Sequence, residues 1–288
     1  AALVYGFVSV AGTGWSSART IAAFAVGLVL LEIFGLVEAR AAAPITPLRL
    51  FADRNRAGAY AARLLLVAAM MGMFFFLTQF LRGVLGYSDL RTGFAFLPLT
   101  VAVFAASQLS SRVLVGRFGE KAVMITGVTL STTGMLLLTH VGTHSGYLAL
   151  LTPLVIFGTG NGLAFVPLTT VALERVSPQD AGAASGLVNV MQQVGGALGL
   201  SVLVTVFGTA SASAAHRLGA HVPAADLAQQ AFVAGARSAF WMAVAFLVGT
   251  WLLVVFAVRR AAPGGEDAAR ADSDLDREIA AVLAAEAD

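Results

Sequence analysis

Charge-free hydrophobic runs recur along the chain at about 20 to 37 (interrupted by Glu32), 64 to 81, 92 to 111, 122 to 139, 147 to 173, 181 to 208 and 238 to 258. Each approaches the roughly 20 residues a helix needs to cross a hydrocarbon core of about 30 Å. The runs are continuous and do not alternate, so they predict seven spanning helices and not barrel strands. The opening AALVYGFVSV adds ten apolar residues, about 15 Å of helix, and reads as the last half of a further hydrophobic helix. The expectation is that the natural protein continues upstream of it. A short interfacial N-terminus is the alternative, although the segment has hardly any polar face.

Composition narrows this picture. Of the 288 residues, 58% are apolar and 12% charged, with a mean hydropathy of +0.83. An ordinary soluble domain has about 25% charged residues, so a water-soluble fold is excluded. The fold class expected is all-α, a polytopic helical membrane protein. Residues 1–262 carry 16 Lys/Arg against 8 Asp/Glu, whereas residues 263–288 carry 2 Arg against 8 acids. The chain therefore divides into a basic membrane part and an acidic tail. With no cysteine, disulfides and thiolate chemistry are excluded.

The basic residues also predict orientation. If the segment after residue 37 is cytoplasmic, thirteen Lys/Arg fall inside and five (Arg19, Arg82, Arg91, Arg217, Arg237) outside, which places the C-terminus in the cytoplasm. Residues 44–56, PITPLRLFADRNR, mix Leu48, Leu50 and Phe51 with three arginines and predict an interfacial segment. In the tail, Leu275, Ile279, Val282 and Leu283 have helical spacing, as an amphipathic helix or a weakly ordered solubilising segment.

No enzyme constellation is visible. His140, His144, His216 and His221 fall in predicted outside loops, with no Asp or Glu beside His140 or His144, and read as exposed loop residues and not metal ligands. Ser110 and Ser111 have no base nearby. No cofactor, metal or nucleic-acid partner is implied.

The informative residues are polar groups and glycines inside the spans. Glu32 is either a proton carrier or a carboxylate reaching back toward Arg40, and Arg63 reads as an interfacial anchor. The run 147–173 holds Gly158, Thr159, Gly160, Asn161 and Gly162, then Phe165 and Pro167. These suit either a bendable, polar-lined helix or close packing with Asn161 bonded across helices. In the next span Gly182, Gly186, Gly195 and Gly199 form small-residue packing faces, while Asn189, Gln192 and Gln193 lie at membrane depth. The run 64–81 offers Met70, Met71, Met73, Phe74, Phe75, Phe76 and Gln79, which is adaptable apolar surface with one polar handle.

Taken together, SPQDAGAASGLVNVMQQVGGALGLSVLVTVF (177–207), PLRLFADRNR (47–56), LRGVLGYSDLRTGFAFLPL (81–99), GTGNGLAFVPLTTVAL (158–173) and AFVAGARSAFW (231–241) resemble the fourteen-helix drug:proton antiporter branch of the major facilitator superfamily. The resemblance implies that 1–10 ends the first of two central linker helices and that 20–37 is the second. It implies a cytoplasmic interfacial loop at 38–56, the C-terminal six-helix half at 57–260 and an acidic cytoplasmic tail at 261–288. It also implies a plasma-membrane protein that exports amphipathic drugs, antibiotics or secondary metabolites, often cationic or aromatic, in exchange for protons.

Phe75, Phe76, Gln79, Thr159, Asn161 and Phe165 are then expected to line the cavity, with Asn189 and Gln193 supporting it. Glu32 is the proton-coupling candidate. The segment SSRVLVGRFGEKAV (110–123) resembles the family's gating loop, with Arg117, Gly119 and Lys121 in place but Gly116 where an Asp is usual. Gln192 stands where an Arg is common. The N-terminal half is absent from this sequence, so a membrane-embedded half that needs a partner half and transports nothing alone is one alternative. An exporter of lipid or amino-acid-like substrates is another.

Overall fold

A computed structural model of the chain describes residues 2–14, 16–41, 47–219 and 223–258. The expected tail helix and His221 lie outside the described residues, as do residues 42–46 of the expected interfacial segment. Among the described residues ten α-helices follow one another: α1 (Ala2–Thr13), α2 (Ala18–Arg40), α3 (Arg54–Gly83), α4 (Asp89–Ala95), α5 (Leu97–Leu109), α6 (Val115–Phe118), α7 (Glu120–Leu138), α8 (Tyr147–Leu173), α9 (Ala181–Leu218) and α10 (Ala224–Phe256). Seven helical stretches among them are long and apolar enough to cross a membrane, with Asp89–Phe118 counting as one.

Several boundaries move from their expected places. The third helix starts at Arg54 and not at 57 or 64, because Asp53 caps it by accepting from the Arg56 amide at 2.8 Å. Helix α9 continues to Leu218, since the stretch TASASAAHRL has no helix breaker, and α10 begins at Ala224, behind Pro223. The expected loop 110–123 is helical as far as Phe118. A π-turn at Ser110–Leu114 carries α5 into α6, and the chain reverses at Gly119 alone, with φ 79° and ψ 156°, a conformation open to glycine.

Helix α3 packs against α8, α9 and α10, and α10 also touches α7. Its Phe76 is stacked on Phe207 at 5.1 Å and meets the edge of Phe240 at 6.4 Å, locking α3, α9 and α10 together. Helix α8 lies between α5 and α7 and uses its glycines on two sides. A methyl group at Gly158 would come within 2.8 Å of the Leu99 carbonyl of α5, and one at Gly162 would strike Val103 and Ala106 of the same helix. One at Gly160 would strike Ser131 and Gly127 of α7. In lipid, where apolar burial gives helices little reason to associate, such close approach supplies the attraction. Gly195 and Gly199 of α9 do the same against Leu64 and Ala68 of α3, whereas Gly182 and Gly186 face open space and have no neighbour there. The packing face expected at Gly182 and Gly186 therefore meets no neighbour among the described residues.

Pro167 breaks the backbone ladder inside α8, and a side chain from a neighbouring element meets the break. Where α4 gives way to α5, the Tyr147 hydroxyl of α8 donates to the Ala95 carbonyl at 2.9 Å. Pro167 has no N–H to offer the Leu163 carbonyl four residues earlier, and the fully buried Ser110 hydroxyl donates to that carbonyl at 3.1 Å. Ser110 is thus a partner of the backbone. Outside the bundle, α1 and α2 pair through Phe7 and Phe24, and the Thr205 hydroxyl of α9 donates to the Phe7 carbonyl. Most of α2 remains on the surface.

The Ser110→Ala substitution leaves the Leu163 carbonyl without its donor and is expected to cost about 1–3 kcal/mol. Adding Pro167→Ala, which restores the missing N–H, should recover most of that loss. Thermal melting of the two variants in detergent tests this; equal losses in both would contradict the assignment.

Candidate functional site

One end of the bundle is basic and tightly tied. The Arg49 guanidinium donates to both carboxylate oxygens of Asp180, at 2.7 and 3.0 Å, and the Ser177 hydroxyl adds a third bond to that carboxylate. The hydrogen bond to Asp180, then its charge, raises Arg49 further above its ordinary value. Arg54 donates to the Phe256 carbonyl and Lys121 to the Val255 carbonyl, so two cations cover the C-terminus of α10. Arg56 reaches the Glu174 and Arg175 carbonyls behind α8. Helix ends expose unpaired carbonyls with partial negative charge, which is where cations are favourable. These contacts bring the starts of α3, α7 and α9 to the same end as the finishes of α8 and α10, so successive spans alternate in direction.

Of the residues expected in a gating loop, Gly119 makes the turn and Lys121 covers α10. Arg117 is exposed, its guanidinium 5.6 Å from the Phe118 ring. At the opposite end Arg82 pairs with Asp89, Arg91 lies over Tyr87, and Arg237 donates to the Thr139 carbonyl at the finish of α7. His140, His144 and His216 are exposed.

Between α3, α5 and α8 lies a cavity of about 270 Å³, lined by Met70, Phe74, Leu99, Thr100, Val103, Phe157, Asn161 and Phe165. Asn161 sits at the middle of α8, 3% exposed, and its amide nitrogen has no hydrogen-bond partner. A buried donor left unpaired costs free energy that an acceptor entering the cavity recovers. The other wall groups are apolar or aromatic apart from Thr100, whose hydroxyl donates to the Phe96 carbonyl of its own helix. An amphipathic guest with one acceptor group matches such a lining.

Directly behind Phe165 is Arg63. Its guanidinium carbon is 3.8 Å from the centre of the Phe165 ring, and the side chain donates to the Thr169 hydroxyl at 2.6 Å, the Gln192 amide oxygen at 3.0 Å and the Phe165 carbonyl at 3.4 Å. Arg63 is 5% exposed and joins three helices, so it is not the interfacial anchor expected of it. Its position at the head of a long apolar run was the signal for this, since an arginine that does not reach back to water must be held by neighbouring helices.

The structure does not gather all the expected site residues. Asn161 and Phe165 share the cavity. Phe76 is buried in the core instead, because two residues of helix turn it about 200° away from Phe74. Phe75 and Gln79 lie one turn apart on an exposed face of α3. The Thr159 hydroxyl bonds back to the Val155 carbonyl, and the exposed Asn189 bonds back to Ser185. Gln193 lines a separate apolar hollow with α1 and α2, because it lies about 200° around α9 from Gly195, which faces α3. Glu32 is exposed on α2, which contributes nothing to the cavity wall. Met70 and Phe74 were visible as part of a Phe/Met stripe; Leu99, Thr100, Val103 and Phe157 carried no signal beyond apolarity or small size.

Among the described residues, seven helical stretches long and apolar enough to cross a membrane, with a mid-depth cavity between three of them, define a polytopic helical membrane protein. The family model described as Major Facilitator Superfamily matches residues 1–200. The chain is 35% identical to the puromycin resistance protein pur8 of Streptomyces alboniger over 255 residues, 88% of this chain and 49% of that protein. It is 35% identical to the cephamycin export protein CmcT of Amycolatopsis lactamdurans over 72% of this chain and 43% of that protein. It is 34% identical to the multidrug resistance protein Stp of Mycobacterium tuberculosis over 71% of this chain and 38% of that protein. The chain belongs to the major facilitator superfamily, and it spans about half the length, or less, of the curated relatives it matches.

Reversing charge at the basic end should expose the role of the Arg49 and Asp180 pair. Asp180→Arg is expected to lower the thermal midpoint, and Arg49→Asp combined with Asp180→Arg to restore it. Failure of the double reversal to recover stability would show that the pair does not tie the start of α9 to the segment before α3.

Proposed function

We propose that the chain works as one half of a proton-coupled exporter of amphipathic small molecules, with the cavity between α3, α5 and α8 as its contact with substrate. The observation that carries this reading is the unpaired Asn161 amide at mid-depth, set among Met70, Phe74, Phe157 and Phe165. Soft thioether and aromatic walls adapt to many apolar bodies, and one polar group orients them. The names of three relatives, which refer to puromycin resistance, cephamycin export and multidrug resistance, support the substrate class.

Transporters of this class rock two six-helix halves around a midplane site, so alternating access belongs to this half together with a second one. The excess of Lys and Arg at the tied end supports a cytoplasmic position for it, and with it for the finish of α10. Phe75 and Gln79 on α3, with Asn189 on α9, lie on exposed faces and are proposed to meet substrate or the second half. Proton and substrate then compete by stabilising different orientations of the two halves. Glu32 remains the proton-coupling candidate of this chain and would act outside the cavity wall.

The test is export from cells carrying the gene product expressed at its native locus. Asn161→Ala and Phe74→Ala are expected to shift the resistance ratio among a panel of amphipathic antibiotics by about tenfold or more, the scale on which pocket contacts discriminate. Protein level in the membrane should stay unchanged. An unaltered profile in both variants would remove the cavity from the transport path.

A further inference from the structure

Arg63 is the most deeply placed cation among the described residues, and its surroundings contain no opposite charge. Arginine stays protonated in proteins. Every hydrogen bond it makes goes to a neutral acceptor: the Phe165 carbonyl, the Thr169 hydroxyl and the Gln192 amide. Its Nε–H is buried without a partner, and among the described residues it forms no ion pair. A charge held in this way at low dielectric is costly unless an anion comes near it. One ring away is the cavity, where the second unpaired group, the Asn161 amide, is also a donor. Both unpaired groups, the Arg63 Nε–H and the Asn161 amide NH2, are donors beside Phe165, and a donor calls for an acceptor.

We propose that this cavity selects amphipaths bearing an anionic acceptor, a carboxylate above all, and disfavours cations of the same shape. This inference rests on the reading of the cavity as the substrate contact, and it runs against the expectation of cationic substrates. The apolar body of the guest occupies the space between Met70, Phe74 and Phe157, and its acceptor accepts from Asn161. Arg63 acts through space and past the Phe165 ring, as a positioning charge and not as a direct ligand. Its field is weakly screened there, since the guanidinium is buried. A cavity of about 270 Å³ is at the small end of ligand pockets, which suits a guest of one or two fused rings.

The probes are 1-naphthylacetate and 1-naphthylmethylammonium, which share one ring system and differ in charge. Binding is measured by titration calorimetry on the purified gene product in nanodiscs of phosphatidylcholine, and again with phosphatidylglycerol included. The expected result is at least a tenfold preference for the naphthylacetate in both lipids. Arg63→Gln should remove that preference and Arg63→Lys should retain part of it.

Because Arg63→Gln removes three inter-helix bonds, Gln192→Glu provides a second test with those bonds in place. A carboxylate at that position satisfies Arg63 internally, so the thermal midpoint should hold or rise while the preference for naphthylacetate falls. Equal binding of both probes, or tighter binding of the ammonium, would overturn the charge selectivity and leave the cavity as the binding site. Binding of neither probe would overturn the cavity reading itself. Loss of naphthylacetate binding in the phosphatidylglycerol nanodiscs alone would assign the acceptor site to a lipid phosphate and overturn selection of a small amphipath.

Discussion

The bundle depends on the distance at which α8 lies from α5 and α7. Inside a membrane, helices gain little from burying apolar surface against one another, because lipid is equally apolar. What holds them is contact between surfaces that fit, and α8 fits by having no side chain at three alternating positions. Gly158 and Gly162 bring its backbone against α5, while Gly160, set between them on the helix and turned away, brings it against α7. The polar group between these glycines, Asn161, is left on the remaining face, toward α3. Packing on two sides thus decides which way the amide points.

The same closeness makes the prolines tolerable. A broken backbone bond in lipid has no water to turn to. At Pro167 the replacement donor is Ser110, and it reaches the Leu163 carbonyl because Gly162 lets α5 come near. Bends, polar side chains and small residues coincide in α8 for one reason: each is affordable only where the neighbouring helix is within hydrogen-bond reach. At the helix ends the requirement is met differently, with Arg54, Arg56 and Lys121 supplying donors to terminal carbonyls.

The functional reading follows from where these demands are left unmet. Asn161 and Arg63 retain donors that the fold does not satisfy, beside Phe165. At the rim of the bundle Arg49, Arg54 and Lys121 meet a carboxylate or carbonyls, and Arg56 reaches two carbonyls while its Nε–H has no partner. Two unsatisfied donors at depth, beside a cavity of flexible apolar groups, are a cost that a guest with an acceptor can remove. The chain belongs to the major facilitator superfamily, and the proposal that this cavity meets substrate rests on those donors.

The amino-acid sequence by itself determined the class, the seven spans and the two-ended charge pattern, because hydropathy and length are properties of each segment alone. It also marked residues 158–165 as exceptional. It did not separate Phe74 from Phe76, or Gln192 from Gln193, since neighbours in sequence point to different faces and only the partner helices say which face is core, cavity or surface. The extent of α9, the helical course of 110–118 and the open surface at Gly182 and Gly186 were likewise illegible, because glycine and alanine suit both packed and exposed positions. Arg63 shows the difference most plainly. Its place at the start of an apolar run is the same in an anchor and in a buried charge, and the choice was made by Thr169, Gln192 and Phe165, more than a hundred residues away along the chain, converging on one guanidinium.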